Sequence, residues 1–223
     1  MNYEELLLQL VEQDERIMVL TAENRAAIRN LPDKIKERFI DVGISEQTMI
    51  GVAAGLALRG RIPVAHALAT FLTMRAFEFI RTDIGIGRLS VKLVGAVPGF
   101  LSEANGPTHQ AIEDISLMRG IPGINIFCPA DEEDMLIGLK KVLLDDAPFY
   151  IRYNNLKPVL KHNEIFETGK AETISYGTDI TILTYGMLLR QAYEAMIMLE
   201  SKGLGVRLIN LRTLKPIDEE VIL

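Results

Sequence analysis

Short apolar runs alternate with amphipathic stretches along most of the chain. Residues Tyr3 to Gln13 place leucines on one helical face, and Ile17 to Thr21 then form a short apolar run. The later runs predict strands at Phe39 to Val42, Ile62 to Ala67, Ser90 to Val97, Ile124 to Phe127 and Phe149 to Tyr153. Between them, helical patterns cover Ser45 to Leu58, Phe71 to Asp83, Ile112 to Arg119 and Asp131 to Leu144. This alternation predicts an α/β fold, a mostly parallel sheet with helices on both faces.

The periodic pattern breaks after Tyr153 and then resumes. Residues 154–177 carry Pro158 and polar turn residues, which predict a linker with one short hairpin. A strand at 179–184, a helix at 187–202 and a strand at 206–210 follow, and a further helix is expected from Pro216. We therefore divide the chain into a first domain at 1–155, a linker at 156–178 and a second α/β domain at 179–223. Three elements do not close a doubly wound domain, so the second domain is expected to be incomplete at Leu223.

Composition excludes several classes of protein. The net charge of −6 and the lack of a Lys/Arg stripe argue against a nucleic-acid partner. The longest apolar run, Met49 to Leu58, is half of the ~20 residues that a membrane span needs, so no membrane is expected. The acidic N-terminus does not resemble a secretory signal, and a single cysteine, Cys128, favours a reducing cytoplasm. His66, His162 and Cys128 stand outside any motif and are interpreted as structural.

Two stretches contain residues suited to chemistry. In Arg38 to Gln47, a short strand runs through a turn into a helix rich in small residues, with Ser45 as the predicted N-cap and Glu46 at the junction. A helix N-terminus favours the ionised form of such a carboxylate. In Asn105-Gly106-Pro107-Thr108-His109-Gln110, a histidine follows a backbone constrained by glycine and proline. Each residue alone would more often be structural.

Both stretches resemble motifs of transketolase-type enzymes, as do Thr70-Phe71 and Ile151-Arg152-Tyr153. The resemblance covers the pyrimidine-binding domain from Met1 to Tyr153 and continues into the family's C-terminal domain. It implies that Glu46 activates thiamine diphosphate through its aminopyrimidine ring, against which Phe71 stacks. It further implies that Ile44 and Phe77 contact the cofactor, although Phe77 also suits ordinary packing.

The resemblance also implies substrate-binding residues. His109 would address the thiazolium and the sugar hydroxyls, with a role in proton transfer, and Asn105 and Arg75 would contact the sugar. Arg75 resembles the Arg-Ala-aromatic arrangement of deoxyxylulose-phosphate synthases with one extra residue, Met74. Arg152 matches an arginine that binds sugar phosphate in the family, with an ion-paired arginine as the alternative.

Three departures from the family pattern bear on function. Asn105 stands where most members have aspartate, and Val97 stands where transketolases have a substrate-contacting histidine, so the sugar preference is expected to differ. The Gly-Asp-Gly motif that holds the diphosphate and its Mg²⁺ does not occur in this sequence. No metal ligand is therefore assigned here, and the resemblance implies an N-terminal partner subunit that carries that motif, together with self-association.

The expected function is that of the C-terminal subunit of a split transketolase, which moves a two-carbon ketol unit from a ketose to an aldose. A subunit of a deoxyxylulose-phosphate-synthase-like carboligase is the runner-up, favoured by the context of Arg75. The β subunits of 2-oxoacid dehydrogenases share the glutamate motif but not Gly-Pro-Thr-His-Gln. A non-catalytic assembly module is the alternative of a different class, since Asn105 and Val97 depart from the pattern.

Overall fold

Two β-sheets organise the chain, and the computed structural model describes all 223 residues. The larger sheet contains the strands β1 (Ile17–Thr21), β2 (Phe39–Asp41), β3 (Ile62–Leu68), β4 (Lys92–Ala96), β5 (Asn125–Phe127), β6 (Phe149–Tyr153) and β10 (Thr213–Lys215). The smaller sheet contains β7 (Glu172–Thr173), β8 (Ile180–Thr184) and β9 (Val206–Asn210). The strand orders are β10-β5-β6-β4-β3-β1-β2 and β7-β9-β8. All neighbours in the larger sheet are parallel except β10 and β5, which confirms the predicted fold class.

Helices connect the strands and cover the sheets. They are α1 (Tyr3–Gln13), α2 (Leu31–Ile35), α3 (Glu46–Leu58), α4 (Phe77–Phe79), α5 (Asp114–Gly120), α6 (Glu132–Leu144), α7 (Leu189–Glu200) and α8 (Glu219–Ile222). Asn2 and Glu5 form a reciprocal capping box at the start of α1. At the start of α6, the Asp131 side chain accepts a hydrogen bond from the Asp134 amide and so caps the helix. No helix is both long enough and apolar enough to cross a membrane.

The core lies on both faces of the larger sheet. Side chains of successive strand residues point to opposite faces. In β1, Met18 and Leu20 therefore belong to one cluster of 24 buried residues, while Ile17 and Val19 belong to a second cluster of 20. Because both faces are covered, all five residues of β1 are buried. This explains why the strands are continuous apolar runs in the sequence rather than alternating ones.

Local structure differs from the predictions at several places. The stretch predicted as one helix from Phe71 to Asp83 consists of wide π-helical turns at Phe71–Arg75 and Ile80–Gly85 on either side of α4. Ser45 occupies the N-cap position of α3, but its hydroxyl donates to Thr48 Oγ1 at 2.6 Å instead of capping the helix. No hairpin forms in the predicted linker, because β7 pairs antiparallel with β9 of the smaller sheet.

The C-terminal stretch returns to the larger sheet. Strand β10 pairs antiparallel with β5 at the sheet edge, and the Arg212 carbonyl accepts from the Cys128 amide beside it. The sequence pattern predicted no strand here. The helix expected from Pro216 begins at Glu219, with the Asp218 side chain accepting from the Val221 amide. The chain therefore runs from β9 of the smaller sheet into β10 of the larger sheet. The pairing of β10 with β5 holds the C-terminal stretch against the larger sheet.

Candidate functional site

The turn between β2 and α3 places Glu46 in the first turn of α3. Asp41, the last residue of β2, accepts hydrogen bonds from the Glu23 and Gly43 amides at 3.1 and 3.0 Å and so holds the turn. Gly43 has a φ of +73°, a conformation that favours glycine. The Glu46 side chain is only 2% exposed, and its Oε2 accepts a hydrogen bond from Arg75 Nη1 at 2.7 Å. A buried carboxylate is thereby held at the positive end of a helix.

A groove of about 400 Å³ opens beside Glu46 at the carboxyl ends of the β1 and β3 strands. Its lining residues are Ala22, Glu23, Asn24, Ile44, Glu46, Leu68 and Phe71. Ile44 is 74% exposed at the groove, whereas Phe71 is half-buried. In open α/β sheets, ligands bind in crevices at this end of the strands. The groove therefore brings together the Glu46, Ile44 and Phe71 of the sequence predictions.

His109 approaches the groove from the loop after β4. Its ring makes an edge-on contact with the Phe71 ring, with centroids 5.0 Å apart and planes at 68°. Gly99 and Ala111 exchange two backbone hydrogen bonds of 2.8 and 3.0 Å, which close the base of this loop. Asn105 lies on the same loop, is exposed, and donates to Ser102 Oγ at 3.0 Å. The loop thus places His109 against Phe71.

Phe77 and Arg75 lie outside the groove lining. Phe77 is half-buried and packs against the larger core cluster, so the packing interpretation describes its observed position. Arg75 contacts two groove residues, since its guanidinium pairs with Glu46 and lies 4.2 Å from the centroid of the Phe71 ring. Sequence reasoning assigned Arg75 to the sugar and missed both contacts, because no local pattern relates position 75 to position 46.

Arg152 is a buried, ion-paired arginine. Its Nε lies 2.8 Å from Asp114 Oδ2, and the same oxygen accepts from the Tyr150 hydroxyl at 2.7 Å. This was the alternative left open by the sequence. Arg152 also borders a second cavity of about 490 Å³, at which the exposed side chains of Phe100 and Leu101 meet Tyr185. The cavity lies between the loop after β4 and the segment that leads to α7.

A buried charged cluster joins the two sheets. His162 lies 2.9 Å from Asp131 and 2.8 Å from Glu172, and Arg212 pairs with Asp134 and Glu172. Oxygen and nitrogen atoms of Asp134, His162 and Glu172 lie within 4.8 Å of one another, a spacing that would suit a metal ion. The Arg212 guanidinium and the protonated His162 already supply positive charge among these groups. We therefore describe His162, interpreted from the sequence as structural, as part of an ion-pair cluster.

The stability of the fold is expected to depend on pH through His162. Burial would lower the pKa of His162, but its hydrogen bonds to Asp131 and Glu172 raise it to about 10 from 6.5. Protonated His162 therefore stabilises the folded state fully below pH 6.5, and this contribution is lost as the pH rises towards 10. Urea unfolding should give a free energy that falls over that range and a flatter profile for His162→Gln. Identical profiles for the two proteins would contradict a charged His162.

Residues 1–157 match the transketolase pyrimidine-binding domain, and residues 169–223 match the transketolase C-terminal domain. The chain belongs to the transketolase family. It is 38% identical to the 6-deoxy-6-sulfo-D-fructose transketolase subunit SqwH of Clostridium sp. (strain MSTE9) over 227 residues, which cover 100% of this chain and 70% of that protein. It is 35% identical to one of the subunits of the apulose-4-phosphate transketolase of Phocaeicola vulgatus, covering 99% of this chain and 72% of that relative.

A solved structure gives the same assignment. A split-gene transketolase, described as an inactive β4 tetramer, superposes with a TM-score of 0.87 at 36% identity and covers 99% of this chain and 73% of its own. This transketolase-family chain is thus a subunit of a thiamine-diphosphate-dependent class of enzymes. Its groove fits the pyrimidine half of that cofactor, since it combines a buried carboxylate with an aromatic ring. No lysine or arginine lines it to bind a diphosphate.

Proposed function

We propose that this chain is the pyrimidine-binding subunit of a transketolase that moves a two-carbon ketol unit from a ketose to an aldose. The observation that carries this proposal is the buried Glu46 carboxylate in a groove shared with Phe71. When bound, thiamine diphosphate supplies the carbanion chemistry that such a transfer needs. Within this chain, Glu46 would accept a hydrogen bond from the aminopyrimidine ring, and Phe71 and Ile44 would hold the ring in the groove.

His109 is proposed to serve the substrate. Its ring contacts Phe71, so it lies at the border between the cofactor groove and the loop that carries Asn105. From this position, its imidazole would donate to, or take a proton from, the oxygen that changes charge during transfer. Asn105 is exposed on the same loop and would offer its amide to a sugar hydroxyl. Arg152 would contribute hydrogen bonds rather than net charge, because Asp114 already neutralises it.

A partner subunit with a Gly-Asp-Gly motif is proposed to hold the diphosphate and a Mg²⁺ ion. The names of the relatives support this, since each describes a subunit of a transketolase. The relatives act on different sugars by name, a sulfonated fructose and apulose 4-phosphate. We infer that the residues bordering the sugar, among them Asn105 and Val97, set the preference within a shared chemistry. Copies of this chain would associate in the assembled enzyme.

Calorimetry with thiamine diphosphate and Mg²⁺ tests the proposal. We expect no binding to this chain alone and saturable binding once a partner subunit carrying Gly-Asp-Gly is added, because the diphosphate site belongs to the partner. Two-carbon transfer among sugars should then be measured with the mixture. If pyruvate is consumed instead, the carboligase alternative is favoured. A stable complex that binds no cofactor would indicate a non-catalytic assembly module.

A further inference from the structure

Arg75 links the two residues that form the walls of the groove. Its Nη1 donates to Glu46 Oε2 at 2.7 Å, and its guanidinium carbon lies 4.2 Å from the centroid of the Phe71 ring. Glu46 and Phe71 both line the groove, but Arg75 does not. Arg75 therefore contacts both walls from outside the groove. Its hydrogen bond uses Glu46 Oε2, so Glu46 Oε1, which has no hydrogen-bond partner within the chain, is available to a ligand.

The backbone explains how Arg75 reaches this place. Residues Phe71–Arg75 form a π-helical turn, which accommodates more residues per turn than an α-helix does. Met74, the residue that is extra relative to the Arg-Ala-aromatic arrangement, is exposed within this turn. Phe71 and Arg75 lie four positions apart and on one side of this turn, where the Arg75 guanidinium contacts the Phe71 ring. Such turns occur frequently at functional sites.

The charge of Arg75 also matters to Glu46. A buried carboxylate without a cationic partner is strongly disfavoured. Arg75 is the cation that pairs with Glu46, and its own side chain is 40% exposed. A guanidinium that bonds a carboxylate and stacks on an aromatic ring is fixed in orientation as well as in charge. Both effects hold the Glu46 side chain in one orientation.

We propose that Arg75 is a positioning residue for cofactor binding, which holds the Glu46 side chain aligned with Phe71 without touching the cofactor. The inference rests on the proposed function, since it assumes that an aminopyrimidine enters the groove. It replaces the sugar-binding role that the sequence suggested for Arg75. A lysine at this position would keep the charge but lose the planar contact with Phe71.

The test uses the complex with the partner subunit and measures the dissociation constant of thiamine diphosphate with Mg²⁺ by calorimetry. Arg75→Ala should weaken binding about ten- to a hundredfold, the effect of losing a hydrogen bond between charged groups. Because Arg75 is partly exposed, added ethylguanidinium should enter the space and restore much of the affinity. Arg75→Lys should fall between the wild type and Arg75→Ala.

Arg81→Ala is the matched control, because Arg81 is exposed on the following turn and forms no side-chain hydrogen bond or ion pair. It should leave the affinity unchanged with or without ethylguanidinium. Wild-type affinity in Arg75→Ala, or a loss that ethylguanidinium does not restore, would overturn the positioning role of Arg75. The proposed function would be unaffected by that result. If the wild-type complex binds no cofactor, the proposed function fails before any variant is compared, and this inference fails with it.

Discussion

Glu46→Gln is expected to lower turnover by about 10²- to 10⁴-fold, the range over which positioned acid–base groups act. Glutamine keeps the shape of the side chain and an acceptor oxygen, but it has no negative charge and cannot exchange a proton with an aminopyrimidine. The measurement is the rate of two-carbon transfer in the complex with the partner subunit, at saturating thiamine diphosphate and Mg²⁺. The variant should fold normally, because its partner Arg75 is 40% exposed and can be solvated.

Glu23→Gln provides the control for this result. Glu23 lines the same groove, but its side chain is exposed and makes no hydrogen bond or ion pair. The same chemical change at Glu23 should therefore leave turnover close to that of the wild type. Near-normal turnover in Glu46→Gln would remove Glu46 from the proposed mechanism. Equal losses in both variants would instead indicate a general effect of charge in the groove.

The strands of the larger sheet were predictable because burial on both faces makes them apolar throughout. Ile17–Thr21 and Phe149–Tyr153 have the same end residues in the sequence prediction and in the structure, as does Val206–Asn210 of the smaller sheet. Strand β10 was not predictable in this way. It has only three residues and pairs with a strand more than 80 positions earlier, so its existence depends on tertiary contact and not on a local pattern.

In the candidate site, too, residues within continuous motifs were predictable from the sequence, whereas contacts between distant positions were not. Glu46, Phe71 and His109 were found through motifs, each of which is short and continuous in sequence. The contact of Arg75 with Glu46 spans 29 positions, and no motif contains both residues. The contact of Arg75 with Phe71 lies within a π-helical turn, whereas the helical pattern of Phe71 to Asp83 predicted an ordinary helix there. The roles of these residues stay predictions.

The charged cluster between the sheets illustrates why ion pairs escape sequence analysis. His162 in the predicted linker meets Asp131 at the start of α6, 31 positions earlier. Histidine outside a motif gives no indication of such a partner. The capping role of Asp131 is a local feature, because its side chain bonds an amide only three positions later. Its second role, as a partner of His162, depends on how the smaller sheet packs against the larger one.

Arg212→Met is expected to lower the free energy of unfolding by about 3–5 kcal/mol, the usual cost of removing one partner from a buried ion pair. The Arg212 side chain is 3% exposed, and its Nε lies 2.7 Å from Asp134 Oδ1. The two atoms are too poorly aligned for a hydrogen bond, so their contact is an ion pair. Methionine keeps the apolar stem but leaves Asp131, Asp134 and Glu172 with His162 as their only cation.

Urea unfolding at neutral pH measures this loss, with Arg207→Met on β9 as the control. Arg207 is half-buried and forms no side-chain hydrogen bond or ion pair, so its replacement should cost no more than about 0.5 kcal/mol.

Burial raises the pKa of Asp134, so this carboxylate takes up a proton more readily than an exposed one. The difference in the free energy of unfolding between Arg212→Met and the wild type should therefore become smaller as the pH is lowered. A loss no larger than that of Arg207→Met would show that the cluster contributes little to joining the two sheets. A loss that does not depend on pH would contradict the expected protonation of Asp134.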